Sequence, residues 1–167
     1  MLITHERTKL INCIVYFKEN TLHCKNTKLF KLLYFLDFKH YQETGRNVTG
    51  LIYQNCSNYE FKPVPISLLN ELNDVDSDLS RINETEFSSE YFSKRELRLI
   101  EDIASQFKES KPNKIFENDY LSCMPSQKNS VLDSTIQYGD VLIEKEKSDM
   151  LNVIDDRRLT INCLSNS

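Results

Sequence analysis

Glycine is scarce in this 167-residue chain, tryptophan is absent, and only four prolines and three histidines occur. With Gly45, Gly50 and Gly139 alone, no glycine-rich loop can be assembled to cradle a phosphate, and His5, His23 and His40 offer little choice for acid–base chemistry. The residues therefore give no grounds for expecting an enzyme. No stretch reaches the roughly 18 apolar residues needed to cross a bilayer. The opening MLITHERTKL also lacks the apolar core of a signal peptide, so a cytoplasmic protein is expected. The five cysteines, at 13, 24, 56, 123 and 163, form no CxxC pair and no regular spacing, which suits reduced thiols rather than a disulfide framework. No internal repeat or low-complexity tract is present, so solenoids and linker-joined modules are set aside.

What is present fits one ordinary domain. Hydrophobic residues make up 40% of the chain and charged residues 28%, enough to bury a continuous core. A net charge of −4 gives no general attraction to a polyanion. The charges are segregated, however. Residues 1–50 hold eight basic against four acidic side chains, whereas residues 71–90 hold seven acids against Arg81.

Helical periodicity over residues 5–19 predicts an amphipathic helix bearing Leu10, Ile11, Ile14, Val15 and Phe17. A second helix is expected from Asn26, read as its N-cap, to Gly45, which suits a left-handed C-terminal stop. Short β-prone pieces at Leu51–Tyr53 and Tyr59–Phe61 flank the turn-forming QNCSN and predict a small hairpin. Pro65 is then placed in the first turn of a third helix carrying Ile66, Leu68, Leu69 and Leu72. Ser93 and Glu96 have the spacing of a capping box, opening a helix with Leu97, Ile100, Ala104 and Phe107 on one side and Lys111-Pro112 as its stop. A short helix near 113–121, a strand followed by a helix in TIQYGDVLIEKEKSDMLNVI, and a strand or frayed tail in RRLTINCLSNS complete the reading. The fold class is mainly α (α+β), with residues 1–120 as a helical domain and 121–167 as an extension packed on it.

The second helix poses the main question. Projected at 100° per residue, Lys28, Lys31, Lys39 and Gln42 cluster on one side, interrupted by Phe35. Opposite lie Phe30, Leu33, Tyr34, Asp37, His40 and Tyr41. An acid in the middle of an inward face must be satisfied, because a buried carboxylate without partners costs several kcal/mol or takes up a proton. Three readings follow. Asp37 is a structural acceptor for His40, a tyrosine hydroxyl or the amides of a neighbouring helix. Alternatively, Asp37 and His40 form an acid–base pair approached by Cys56. Lastly, His40 or Asp37 ligates a metal with His23, Cys24 or Cys56, a set without recognisable spacing.

The ordered set KLFKLLYFLDFKHYQETGRNVTG, a short hairpin, PVPISLLNEL and FSKRELRLIEDIASQFKES resembles the Panacea domain, also called the SocA-like antitoxin domain. The resemblance covers residues 5–115. It rests on Lys31–Tyr34 with Phe35 and Asp37, Thr44-Gly45, Pro63-Val64 and Leu68–Leu72. Phe61-Lys62 stands where members commonly have an aromatic residue and a glycine. The resemblance implies a mostly helical domain with a small β element, found in bacteria, phages and mobile elements. It also implies a protein partner, a toxin encoded nearby, neutralised by direct binding or by delivery to a Clp-type protease, with neither catalysis nor a cofactor or metal. Tyr34, Asp37, His40, Tyr41, Gly45, Pro63 and Val64 would be its motif positions. Candidate partner contacts are the stripe Lys28, Lys31, Phe35 and Lys39 and the acidic stretch 74–90. The alternative is a DNA-binding autoregulator, using the basic first third of the chain, or another protein that binds a host factor.

Overall fold

The computed structural model describes residues 5–56, 62–72, 82–115 and 135–141. In these residues α1 (His5–Asn20) and α2 (Asn26–Thr44) are followed by β1 (Tyr53–Asn55), β2 (Pro63–Pro65) and α3 (Ile66–Leu72). Then come α4 (Lys94–Gln106) and β3 (Thr135–Ile136), with short 3-10 turns at Ser89–Tyr91, Pro112–Lys114 and Tyr138–Val141. The architecture is mainly α, with a three-stranded antiparallel sheet in the order β2-β1-β3.

α2 is the axle of the molecule. Every residue from Lys28 to Phe38 is buried, as is His40. The expected division into a basic outer side and an apolar inner side is thereby overturned. α1, α4, β2 and the 3-10 turns at 112–114 and 138–141 all pack against this one helix, so no side of its middle faces water. Lys25, not Asn26, occupies its N-cap, and no side chain caps there. At the other end Gly45, at φ 71°, donates its amide to the Tyr41 carbonyl at 2.8 Å, the left-handed stop that glycine takes without a Cβ penalty.

Leu10, Cys13, Ile14 and Phe17 carry the buried side of α1. On α4 the capping box forms: Ser93 Oγ accepts the Glu96 amide at 3.2 Å, and Glu96 Oε2 accepts the Ser93 amide at 2.7 Å. Leu99, Ile100, Ile103 and Ala104 face the core, with Leu97 on the flank and Phe107 closing the end. The Phe107 ring stacks on Phe35 of α2, centroids 5.5 Å apart and planes 7° from parallel.

β1 pairs with β2 through Tyr53↔Pro65 and Asn55↔Pro63, and with β3 through Tyr53↔Ile136. The second hairpin strand is thus Pro63–Pro65, and the expected Tyr59–Phe61 piece lies outside the described residues. Prolines are tolerated here for a geometric reason. Residues 62 and 66 turn their backbone groups toward β1 (Cys56 N to Lys62 O, 3.0 Å; Ile66 N to Ile52 O, 3.4 Å), so 63 and 65 face the open edge. Pro65 ends β2 and α3 begins at Ile66, one residue later than expected. β3 and the turn after it stand where a strand and a helix were expected; residues from 142 onward, including RRLTINCLSNS, lie outside the described residues. The proposed boundary near residue 120 does as well, but β3 ties the later segment into the sheet of the earlier one.

Candidate functional site

Asp37 is fully buried and accepts four hydrogen bonds. Its Oδ1 takes the backbone amides of Val48 and Thr49, each at 2.8 Å, and its Oδ2 takes the Thr49 hydroxyl at 2.5 Å and the Tyr53 hydroxyl at 2.7 Å. Of the three readings of this residue, the structural acceptor is the one observed, and a tyrosine hydroxyl, that of Tyr53 in β1, is among its donors as expected, whereas His40 is not. The amides belong to the turn after α2 rather than to a helix end. Burial raises the Asp37 carboxyl above its ordinary value, while the bonds from Thr49, Tyr53 and Val48 pull it back down. The same burial, with the Asp37 charge beside it, pushes the Tyr53 hydroxyl far up.

The turn held by Asp37 is shaped by its glycines. Gly45 and Gly50 both adopt left-handed backbone, at φ 71° and 73°, and a Cβ on Gly50 would stand 3.2 Å from Glu6 Oε2 of α1. Thr49 is doubly used, since its Oγ also accepts the Leu51 amide at 3.3 Å. Val48, Thr49 and Tyr53 escaped the sequence reading. The signal for Val48 and Thr49 is the short TGRNVTG segment, in which two glycines bracket a threonine that follows the buried acid closely in the chain.

The rest of the motif is scaffolding of the same kind. Tyr34 stacks on Phe38 with centroids 4.0 Å apart and meets Tyr53 edge-on at 5.4 Å. Tyr41 is half-buried beside Tyr138, at 5.3 Å, and Tyr138 donates its hydroxyl to the Leu51 carbonyl at 2.6 Å. Pro63 and Val64 are buried in β2.

The stripe Lys28, Lys31, Phe35 and Lys39 is not a contact surface, and this corrects the sequence reading. Lys28 has no exposed surface, and its Nζ donates to the carbonyls of Leu22 at 2.8 Å and Lys108 at 3.2 Å. Burial lowers its pKa. Lys31, also buried, donates to the Pro112 carbonyl at 2.8 Å. Phe35 is enclosed against Phe107, and Lys39 is half-buried. Both lysines serve backbone carbonyls just beyond α4 that the helix itself cannot satisfy, which is why charged groups sit inside. The second proposed surface, 74–90, is described only from residue 82, where Glu84 and Glu90 are exposed.

His40 does not pair with Asp37. Its Nδ1 lies 2.7 Å from the Arg46 carbonyl, which can only accept, so Nδ1 is the donor in that bond. The ring lines a cleft of about 580 Å³ between α1, the end of α2 and the start of α4, with Lys9, Tyr91 and Glu96 among its walls. Glu96 and Lys9 form an ion pair at 2.6 Å. Although burial pushes the Glu96 carboxyl up, Lys9 and the Ser93 amide bring it below its ordinary value. No three His, Cys, Asp or Glu side chains cluster as metal ligands among the described residues. The geometry explains why: His23 and Cys24 precede α2 and His40 sits near its far end, about 25 Å away at 1.5 Å per residue.

A family model, antitoxin SocA-like, Panacea domain, matches residues 29–157. The chain belongs to this family. The Panacea match begins at residue 29, extends beyond the sequence motifs, which stop near residue 115, and takes in β3 and the turn that supplies Tyr138. No curated protein and no solved structure matches the chain. In this Panacea domain the α2 motif is a set of inward clasps: Lys31 to the segment after α4, Phe35 to Phe107, and Asp37 to the 48–53 turn and strand.

Proposed function

We propose that this protein is an antitoxin that binds a protein toxin encoded beside it and neutralises it, by occluding it or by delivering it to a Clp-type protease. The observation that carries this reading is the family match over residues 29–157. The geometry supports it from another side. The acceptor positions of Asp37 are filled by four donors, and His40 bonds the Arg46 carbonyl instead of it, so the Asp37–His40 pair that the sequence offered for proton transfer supports the fold instead. Function then falls to the surface that the motif supports, and we read the protein as a binding module acting without catalysis, cofactor or metal, in the cytoplasm.

The test is co-expression of the tagged chain with the product of the adjacent gene, scored together with growth of cells carrying that neighbour alone. A stoichiometric complex, with growth restored only when both are present, is the expected result. A harmless neighbour that is not captured would refute the antitoxin reading. Abundance of the toxin with and without the protease then separates occlusion from delivery.

A further inference from the structure

Four lysines that do reach solvent lie elsewhere, at the end of the molecule where the α1–α2 connection meets the segment after α4. The two segments are fastened together: the Leu22 amide donates to the Lys108 carbonyl at 2.8 Å, and the buried Lys28 ammonium bridges the carbonyls of both residues. Leu22 is nevertheless half exposed at 50%, a large apolar side chain held outward on a rigid base. Lys25 is exposed on the same connection. Across the clasp, Lys108, Lys111 and Lys114 line an open hollow of about 640 Å³, in which Glu109 is the one acid. His23, next to Leu22, holds a left-handed backbone at φ 53°, a conformation that a residue with a Cβ adopts only at a cost and that presents this connection to solvent.

We propose that this end of the molecule is a docking surface for an acidic segment of a protein partner, with Leu22 as the apolar anchor and Lys25, Lys108, Lys111 and Lys114 as the charged rim. The arrangement has the two parts of an efficient recognition patch, an exposed apolar side chain and, joined to it through the clasp at Lys108, complementary charge to steer approach and fix register. It is local: the chain as a whole carries −4, so attraction of an acidic partner rests on a basic face of this kind and not on the overall charge. The clasp supplies preorganisation, since neither segment needs to be ordered when the partner arrives. The identity of the partner as the toxin rests on the antitoxin reading above; the chemistry of the surface does not.

The surface is tested by recording backbone amide NMR shifts while adding a short polyglutamate peptide with one central leucine, the same peptide with serine in place of leucine, and a single-stranded oligonucleotide of equal charge. The leucine peptide is expected to shift amides at 22–25 and 108–114 and to bind more tightly than the serine peptide. The triple variant K108E/K111E/K114E, its fold verified by unchanged shifts around Asp37, is expected to lose affinity about tenfold or more, with wild-type binding weakening as salt rises. L22S is expected to abolish the difference between the two peptides. Tighter binding of the oligonucleotide would overturn the proposal in favour of nucleic acid, and dimerisation at low salt through these residues would overturn it in favour of a second copy. Absence of shifts with the leucine peptide would also overturn it. Growth rescue by the triple variant is scored in parallel: rescue lost in the variant alone supports the toxin as occupant, whereas failure of the wild type to rescue refutes the antitoxin reading and leaves the peptide result to stand by itself.

Discussion

Removing the Asp37 carboxylate is the sharpest perturbation the structure offers. In Asp37→Ala the Val48 and Thr49 amides lose their acceptor in a fully buried place, and each orphaned donor costs about 1–3 kcal/mol. The Thr49 and Tyr53 hydroxyls can rotate toward other acceptors, and the burial of a charge is relieved, so these contributions partly offset each other. The two orphaned amides set the scale, so the net expectation is a loss of about 2–4 kcal/mol. That is a large share of the roughly 5–15 kcal/mol that holds a domain together. Asp37→Asn keeps the shape. Its oxygen can retain the two amides while its NH₂ donates to hydroxyls turned to accept, so about 1–2 kcal/mol is expected from exchanging charge-assisted bonds for neutral ones. Urea unfolding of the three proteins, with the slope unchanged between them, reads both values from the midpoints. An alanine variant within about 1 kcal/mol of wild type would refute the claim that this carboxylate holds the turn.

Lys31→Met should cost about 1–2 kcal/mol by leaving the Pro112 carbonyl without its ammonium, seen as a lowered melting temperature; an unchanged melt would show that the contact contributes nothing. Lys31→Glu should unfold the domain, so lost partner binding in that variant would report folding rather than a contact. The Glu96 carboxyl lies below its ordinary value in the folded state, so the stability it adds is complete above the unfolded value of about 4.3 and is lost as pH falls through the folded one. The difference in unfolding free energy between wild type and Glu96→Gln should therefore shrink on acidification. Asp37, raised by burial, acts in the opposite direction and cancels in that difference. A gap that stays constant through the acid range would sink the assignment. Finally, among the three cysteines of the described residues, a thiol reagent should modify exposed Cys56 first, half-buried Cys24 more slowly and buried Cys13, whose thiol burial pushes well up, only as the protein unfolds. Mass spectrometry of the native protein checks the order.

Local signals in the chain predicted local structure well. The span of α2, the left-handed Gly45 and the Ser93–Glu96 capping box were legible because each depends on residues a few positions apart. So was the requirement that Asp37 be satisfied, because the physics of a buried carboxylate does not depend on who satisfies it. What could not be read is what lies far along the chain. The Pro112 carbonyl is 81 residues from Lys31, and no periodicity announces that a lysine will be drawn inward to reach it. The helical projection put the clustered lysines of α2 in water, and so it made a surface of Lys28, Lys31 and Phe35 and overlooked the lysines of the later segment. The third strand was equally invisible as a partner of β1, since two residues, Thr135 and Ile136, suffice to make the pairing.

The two prolines of β2 have a consequence for how the protein behaves in a crowd. A sheet margin with free amides invites another chain to extend it, the usual first step toward fibres and toward recognition by strand addition. At Pro63 and Pro65 the outward positions have no hydrogen to offer, so that margin cannot template a further strand. Along that edge a partner can be held by side chains but not by an added strand, so the protein can accumulate to high concentration without zipping to its own copies there.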